Sequence, residues 1–174
     1  MKRSDIFISL AIIGAAILAV LVCLQAKGYV RIDAGGADAE LQVKNGWFST
    51  TTVTSGAGAA EVGARVYNAQ RLSILRKLNG HDWRIEGVGP WGGLSRIKVR
   101  RNQTTELRLG PPLLVKPDVS RSGSVLSIGY SIIGQAGEHY RSFVTQDGRT
   151  VIGAKINIID EAGNVLKAGQ FSYG

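Results

Sequence analysis

Residues 6 to 24, IFISLAIIGAAILAVLVCL, run without a single charge, and no other stretch constrains the chain as strongly. As a helix rising about 1.5 Å per residue, the run nearly matches the roughly 30 Å of a bilayer's hydrocarbon. Lys2 and Arg3 precede it, and positive charge on a short N-terminal flank holds that flank in the cytoplasm while the rest crosses. Lys27 and Arg31 follow the run, but Asp33, Asp38 and Glu40 come close behind and leave the orientation unchanged. The expected layout is a cytoplasmic N-terminus over residues 1–5 and a transmembrane signal anchor over residues 6–26. The protein is then single-pass, with its C-terminal region periplasmic or extracellular.

Three fates fit such a run. An uncleaved anchor fits its length, which exceeds the roughly 7 to 15 apolar residues of a secretory signal peptide. A signal peptide cut after Ala26 would place Leu24 where a small residue is preferred. In a lipoprotein, Cys23 would be the lipidation site: Val20-Leu21-Val22-Cys23 resembles a lipobox, with Val22 where Gly, Ala or Ser is expected. Cys23 is the chain's only cysteine. The soluble part therefore has no intramolecular disulfide, thiol nucleophile or cysteine metal site, and its stability must come from packing.

From Tyr29 onward apolar residues recur at every second position over short stretches, which is the signature of half-buried strands. Val62, Ala64 and Val66 alternate with Glu61, Gly63 and Arg65; Ile97 and Val99 with Arg96, Lys98 and Arg100; Leu107 and Leu109 with Glu106 and Arg108. Turns are marked by Arg121-Ser122-Gly123-Ser124 and by Gln146-Asp147-Gly148-Arg149. Leu72, Leu75 and Leu78 would also suit a short helix, and are read as strand. The fold class expected is all-β: one or two packed β-sandwich, immunoglobulin-like domains preceded by a single N-terminal transmembrane helix. Gly110-Pro111-Pro112 divides them, since two prolines cannot donate to a ladder. A β-sandwich domain over residues 29–110 is expected, with a smaller β domain over residues 111–174 packed on it, because the second piece is too small for a comfortable core of its own.

Near the C-terminus KINIID, the turn EAGN and VLKAGQFSY read as a hairpin. This stretch, Lys155 to Gly174, resembles the terminal hairpin of immunoglobulin-like or carboxypeptidase-regulatory-like modules of bacterial surface proteins. The resemblance implies a non-catalytic structural or adhesive module.

Few residues offer chemistry. Gly87-Val-Gly-Pro-Trp-Gly92 matches G-x-G-x-x-G in spacing, but SRIKVRRN follows it and alternates like a strand instead of opening the helix that a dinucleotide site needs. It is read as a turn, and no cofactor is expected. His81 and His139 are the only histidines and lack ligands at metal-binding spacing, so no metal is expected either. No serine stands in G-x-S-x-G.

Two groups are candidates for binding. Arg96, Lys98 and Arg100 would share one strand face with Arg101 following, a basic ridge suited to an anionic glycan or lipid or else simply solvated. Trp47 and Trp91 could stack on sugar rings, although core packing is the commoner use of tryptophan. The net charge of +8 favours anionic neighbours. Beyond a membrane these are lipid and glycan, and no nucleic acid partner is expected. The expectation is a non-catalytic envelope protein with a structural or protein-interaction role, held by its helix and contacting an envelope protein partner. The alternative is a glycan-binding module using Trp47, Trp91 and the ridge, and a hydrolase with a scattered triad comes third.

Overall fold

A computed structural model describes residues 26–46, 49–142, 144–151 and 155–171. The apolar run of residues 6–24, expected to be a transmembrane helix, lies outside them, as do Cys23 and Trp47. Among the described residues no helix is long and apolar enough to cross a membrane.

The protein is all-β, and its ladders follow from the alternation of side chains. In β1 (Lys27–Asp33) Val30 and Ile32 are buried between exposed Tyr29, Arg31 and Asp33. In β2 (Asp38–Asn45) Ala39, Leu41 and Val43 are buried while Asp38 and Glu40 face solvent. β3 (Ser49–Thr54) follows, then β4 (Ala60–Gly63), β5 (Val66–Leu78) and β6 (His81–Gly87). Asn79 and Gly80 join the last two with φ of 53° and 81°, the left-handed pair that a two-residue hairpin requires. A short 3-10 helix (Gly92–Ser95), β7 (Ile97–Lys98) and β8 (Thr104–Arg108) complete the first half.

The strands build two facing layers. One has the order β4-β1-β8, with β8 parallel to β1; the other begins β3-β2-β5-β6 and is antiparallel. Val30, Val62 and Leu107 from the first layer meet Val43, Val53 and Tyr67 from the second around a residual void of ≈ 10 Å³. This core is sandwich-like, as expected. Residues 72–78, ambiguous by pattern, are strand. One expected alternation fails: the chain turns at Ala64 and Arg65, so Val66 is 40% exposed and Tyr67 is buried instead.

The second layer continues past Pro111 and Pro112. β9 (Leu114–Ser122) and β10 (Val125–Ile133) form a long hairpin, joined to β6 through β11 (His139–Tyr140). β12 (Thr145–Gln146) pairs with both β6 and β13 (Arg149–Thr150), and β14 (Lys155–Ile159) pairs with β15 (Val165–Gln170). The registers fix a direction. Val66 of β5 faces Lys98, Leu72 faces Gly87, Gly87 faces Tyr140, and Tyr140 faces Ile132. β10 then runs antiparallel to β11, so the Gly123 tip of the hairpin lies away from Val66 and Lys98, roughly 50 Å along the strand direction at about 3.3 Å per residue.

Glu138 fastens this hairpin to the sandwich. It is 0% exposed, and its Oε1 accepts the Gly110 amide at 2.6 Å and the Tyr140 hydroxyl at 2.7 Å, while Oε2 accepts the Ala136 amide at 2.8 Å. The end of β8, the β10–β11 turn and β11 thus share one carboxylate. Gly134 leaves it room, because a Cβ there would stand 2.0 Å from Oε1. Burial first, then the bond to Glu138, holds the Tyr140 phenol well above its ordinary value of 10.0.

Replacing Glu138 by Ala strands three donors in a buried site and is expected to cost about 3 to 5 kcal/mol in denaturant unfolding. Gly134→Ala should destabilise as well, and unchanged midpoints in both variants would show that this carboxylate is not the fastening. Because folding raises the Tyr140 pKa, its contribution is complete below pH 10.0 and declines as pH rises from there toward the folded value. A Tyr140→Phe variant should lack that alkaline loss.

Candidate functional site

The basic ridge forms around buried anchors. Ile97 and Val99 are each 3% exposed, and Arg96, Lys98, Arg100 and Arg101 between and after them are exposed. Only Ile97 and Lys98 are in a ladder, where Lys98 lies opposite Val66. Val99 then donates its amide to the Arg65 carbonyl at 2.9 Å. The ridge is set against the first residues of β1: Asn102 donates to the Lys27 carbonyl at 2.8 Å, and a Cβ on Gly28 would meet the Arg100 carbonyl oxygen at 2.3 Å.

Trp91 is half-buried and packed against the core, its ring lying over Gly87 where a Cβ would approach it to 2.9 Å. Gly87 pairs with Leu72, whereas Lys98 pairs with Val66. From Val66 to Leu72 is roughly 20 Å of extended strand. Trp91 and the ridge therefore occupy separate places, and one sugar ring cannot span them. The glycines around Trp91 serve packing: Gly92, at φ 53°, sits where a Cβ would meet the Ala136 carbonyl oxygen at 2.3 Å. A 3-10 turn, and neither a long helix nor an immediate strand, follows the G-x-G-x-x-G spacing.

The histidines are apart. His81 Nδ1 lies 2.7 Å from Asp147 Oδ2, both about half exposed, and Asp147 Oδ1 accepts the Asp82 amide at 2.9 Å. His139 is tied through its backbone to Pro90 and Val88. Among the described residues no serine hydroxyl is hydrogen-bonded to either ring, and no group of three or more His, Cys, Asp or Glu is placed to hold a metal. The Asp147 carboxyl lies below its ordinary value of 3.8, chiefly through the Asp82 amide and then through His81.

A further surface comes from the β9–β10 hairpin. Residues directly opposite in an antiparallel pair share a face. Val115 faces Ile132, Pro117 faces Tyr130, Val119 faces Ile128, and Arg121 faces Leu126, so one face is almost wholly apolar. The other carries Lys116 opposite Ser131 and Ser120 opposite Ser127. Part of the apolar face borders a groove of ≈ 460 Å³ that Ile156 and Phe171 line from the far side. Phe171 meets Tyr130 edge-on at 4.6 Å, and the Tyr130 hydroxyl donates to the Ser142 carbonyl. Toward the tip no described residue closes over the face: Val119 is 57% exposed and Leu126 47%. The alternation of Leu126, Ile128, Tyr130 and Ile132 is visible in the sequence, and is the signal for this surface.

No protein-family model, curated protein or solved structure matches the chain. The fold and surfaces define a class only, an all-β protein with a sandwich-like core and a projecting amphipathic hairpin.

Asp147→Ala should lower stability at neutral pH. Folding depresses this carboxyl's pKa, so its contribution is present above 3.8 and is lost as pH falls through the folded value. Denaturation midpoints of native and variant protein should differ at neutral pH and converge in acid. A constant difference would place the effect outside the carboxylate's charge.

Proposed function

We propose that the protein is a non-catalytic, membrane-anchored component of the cell envelope, whose β region lies outside the cytoplasm and binds a protein partner. The N-terminal run supports the anchor, and the apolar hairpin face supports the partner. An apolar face of this kind, exposed toward its tip, is costly to leave in water and commonly marks a contact site. The resemblance of a different hairpin, Lys155 to Gly174, to immunoglobulin-like surface modules agrees with an adhesive or structural role. The partner's own contact is then mainly apolar, to match Val119, Ile128 and Leu126, with Arg121 opposite Leu126 the one charge on that side of the paired strands. The observation that carries the reading is that face, aimed away from the end of the sandwich where the chain enters.

A photo-crosslinking residue placed at Val119 in the full-length protein, in living cells, should give one discrete adduct. The same residue at exposed Thr52 of β3 should give none. Leu126→Glu should remove the Val119 adduct while leaving the denaturation midpoint within about 0.5 kcal/mol of native, as expected of an exposed position. No adduct at Val119, or one unaffected by Leu126→Glu, would sink the proposal.

A further inference from the structure

The chain enters the described fold inside a ring of unneutralised positive charge. Ala26 accepts the Ala64 amide at 2.7 Å, which places Arg65 beside the entry point. Val99 bonds to Arg65, Asn102 bonds to Lys27, and Gly28 lies directly on the Arg100 carbonyl. Arg65, Lys98, Arg100 and Arg101 are therefore gathered round the first three residues of the fold, although they come from two separate stretches of chain. All four are exposed. Their neighbours are paired, Lys27 with Glu61 and Arg31 with Glu106, but among the described residues none of the four has a carboxylate within ion-pair distance. The absence of Cβ at Gly28 is what permits the approach: any side chain there would push residues 99–100 away from β1.

Resting on the membrane-anchored reading above, we infer that this collar binds the anionic lipid headgroups of the leaflet through which the chain emerges. The apolar run ends at Leu24 and the fold begins at Ala26, so only Gln25 separates them. Two peptide steps reach about 7 Å at most. The headgroup zone on each side of the hydrocarbon is itself about 5 to 7 Å deep. Long arginine and lysine side chains at Arg65, Lys98, Arg100 and Arg101 would therefore lie within the headgroups, well inside a Debye length of about 8 Å. Each such charge strengthens association with an anionic surface roughly fivefold. With a linker this short the collar also sets posture: four headgroup contacts around one stem hold the sandwich upright, with the Gly123 tip directed away from the bilayer.

The test uses the full-length chain in lipid nanodiscs, either neutral phosphatidylcholine or the same lipid with phosphatidylglycerol. A spin label at Gln103→Cys, in a Cys23→Ser background, reports proximity to a headgroup-bound nickel chelate. Labelled protein should be closer to the headgroups in anionic than in neutral discs, and high salt should erase the difference. The combined Arg65→Glu, Lys98→Glu, Arg100→Glu and Arg101→Glu variant should abolish it, while Arg121→Glu with Lys167→Glu, remote basic residues, should preserve it. Equal proximity in both lipids, or a response retained by the collar variant at an unchanged denaturation midpoint, overturns the inference. Alkaline extraction of vesicles reads the anchor separately. Protein that resists extraction but shows no lipid-charge dependence keeps the anchor and loses the collar. Protein that floats only with anionic vesicles and is released by salt keeps the collar and loses the anchor.

Discussion

A single buried carboxylate, Glu138, ties the turn that ends the β9–β10 hairpin to the end of the sandwich at Gly110. Two-stranded hairpins are marginal in water by themselves, and this one joins the body through the short β11 ladder, in which Tyr140 faces Gly87 and Ile132, and through backbone bonds of the following turn, from Gly93 to Ala136 and from Gln135 to Gly110. Glu138 adds three bonds to that junction, to Gly110, Ala136 and Tyr140. A buried carboxylate is expensive unless it is fully partnered, and here Gly134 clears the space that makes the partnering possible. The hairpin face and the core are therefore coupled through this junction.

The charge and the apolar surface are segregated in the same sense. Arg65, Lys98, Arg100 and Arg101 surround the entry at Ala26, and the apolar pair Val119–Ile128, with Leu126 opposite Arg121, lies toward the far tip. β5 is the ruler between them: its Val66 end holds Lys98, and its Leu78 end lies level with the outer hairpin. Pro117 and the charges of Lys116 and Arg121 on edge strand β9 protect against indiscriminate strand pairing. What the hairpin presents is a face, and a partner fits it through side chains more readily than by extending the sheet.

Period-two alternation made most of the core strands legible, because burial on one face leaves a direct mark on the order of residues. β8 is an example: Leu107 and Leu109 are buried between exposed neighbours, as their spacing predicts. The same rule misplaced Val66, since alternation cannot register the turn at Ala64 and Arg65 that resets the phase. Asn79-Gly80 is a local hairpin signal that periodicity alone passes over. The Glu138 junction was not legible at all. Its donors come from residues 110, 136 and 140, and nothing local distinguishes a glutamate destined for burial from a solvated one. The apolar hairpin face was legible as a face, but alternation does not tell whether another layer covers it.

The collar bears on orientation in a way that linear charge counting does not. Positive charge beside a membrane segment retains that flank in the cytoplasm only when it lies within about 15 to 20 residues of the segment during insertion. On the C-terminal side that window contains Lys27, Arg31 and, near its far edge, Lys44, the first two matched in the fold by Glu61 and Glu106. Arg65, Lys98, Arg100 and Arg101 come later in the chain and gather beside Ala26 only once β4 has paired with β1 and β7 with β5. On the membrane-anchored reading proposed above, such a sequence would translocate its β region under the control of Lys2 and Arg3 and still place a cationic surface against the leaflet from which it emerges. Folding after insertion would then supply the charge that insertion itself would have resisted.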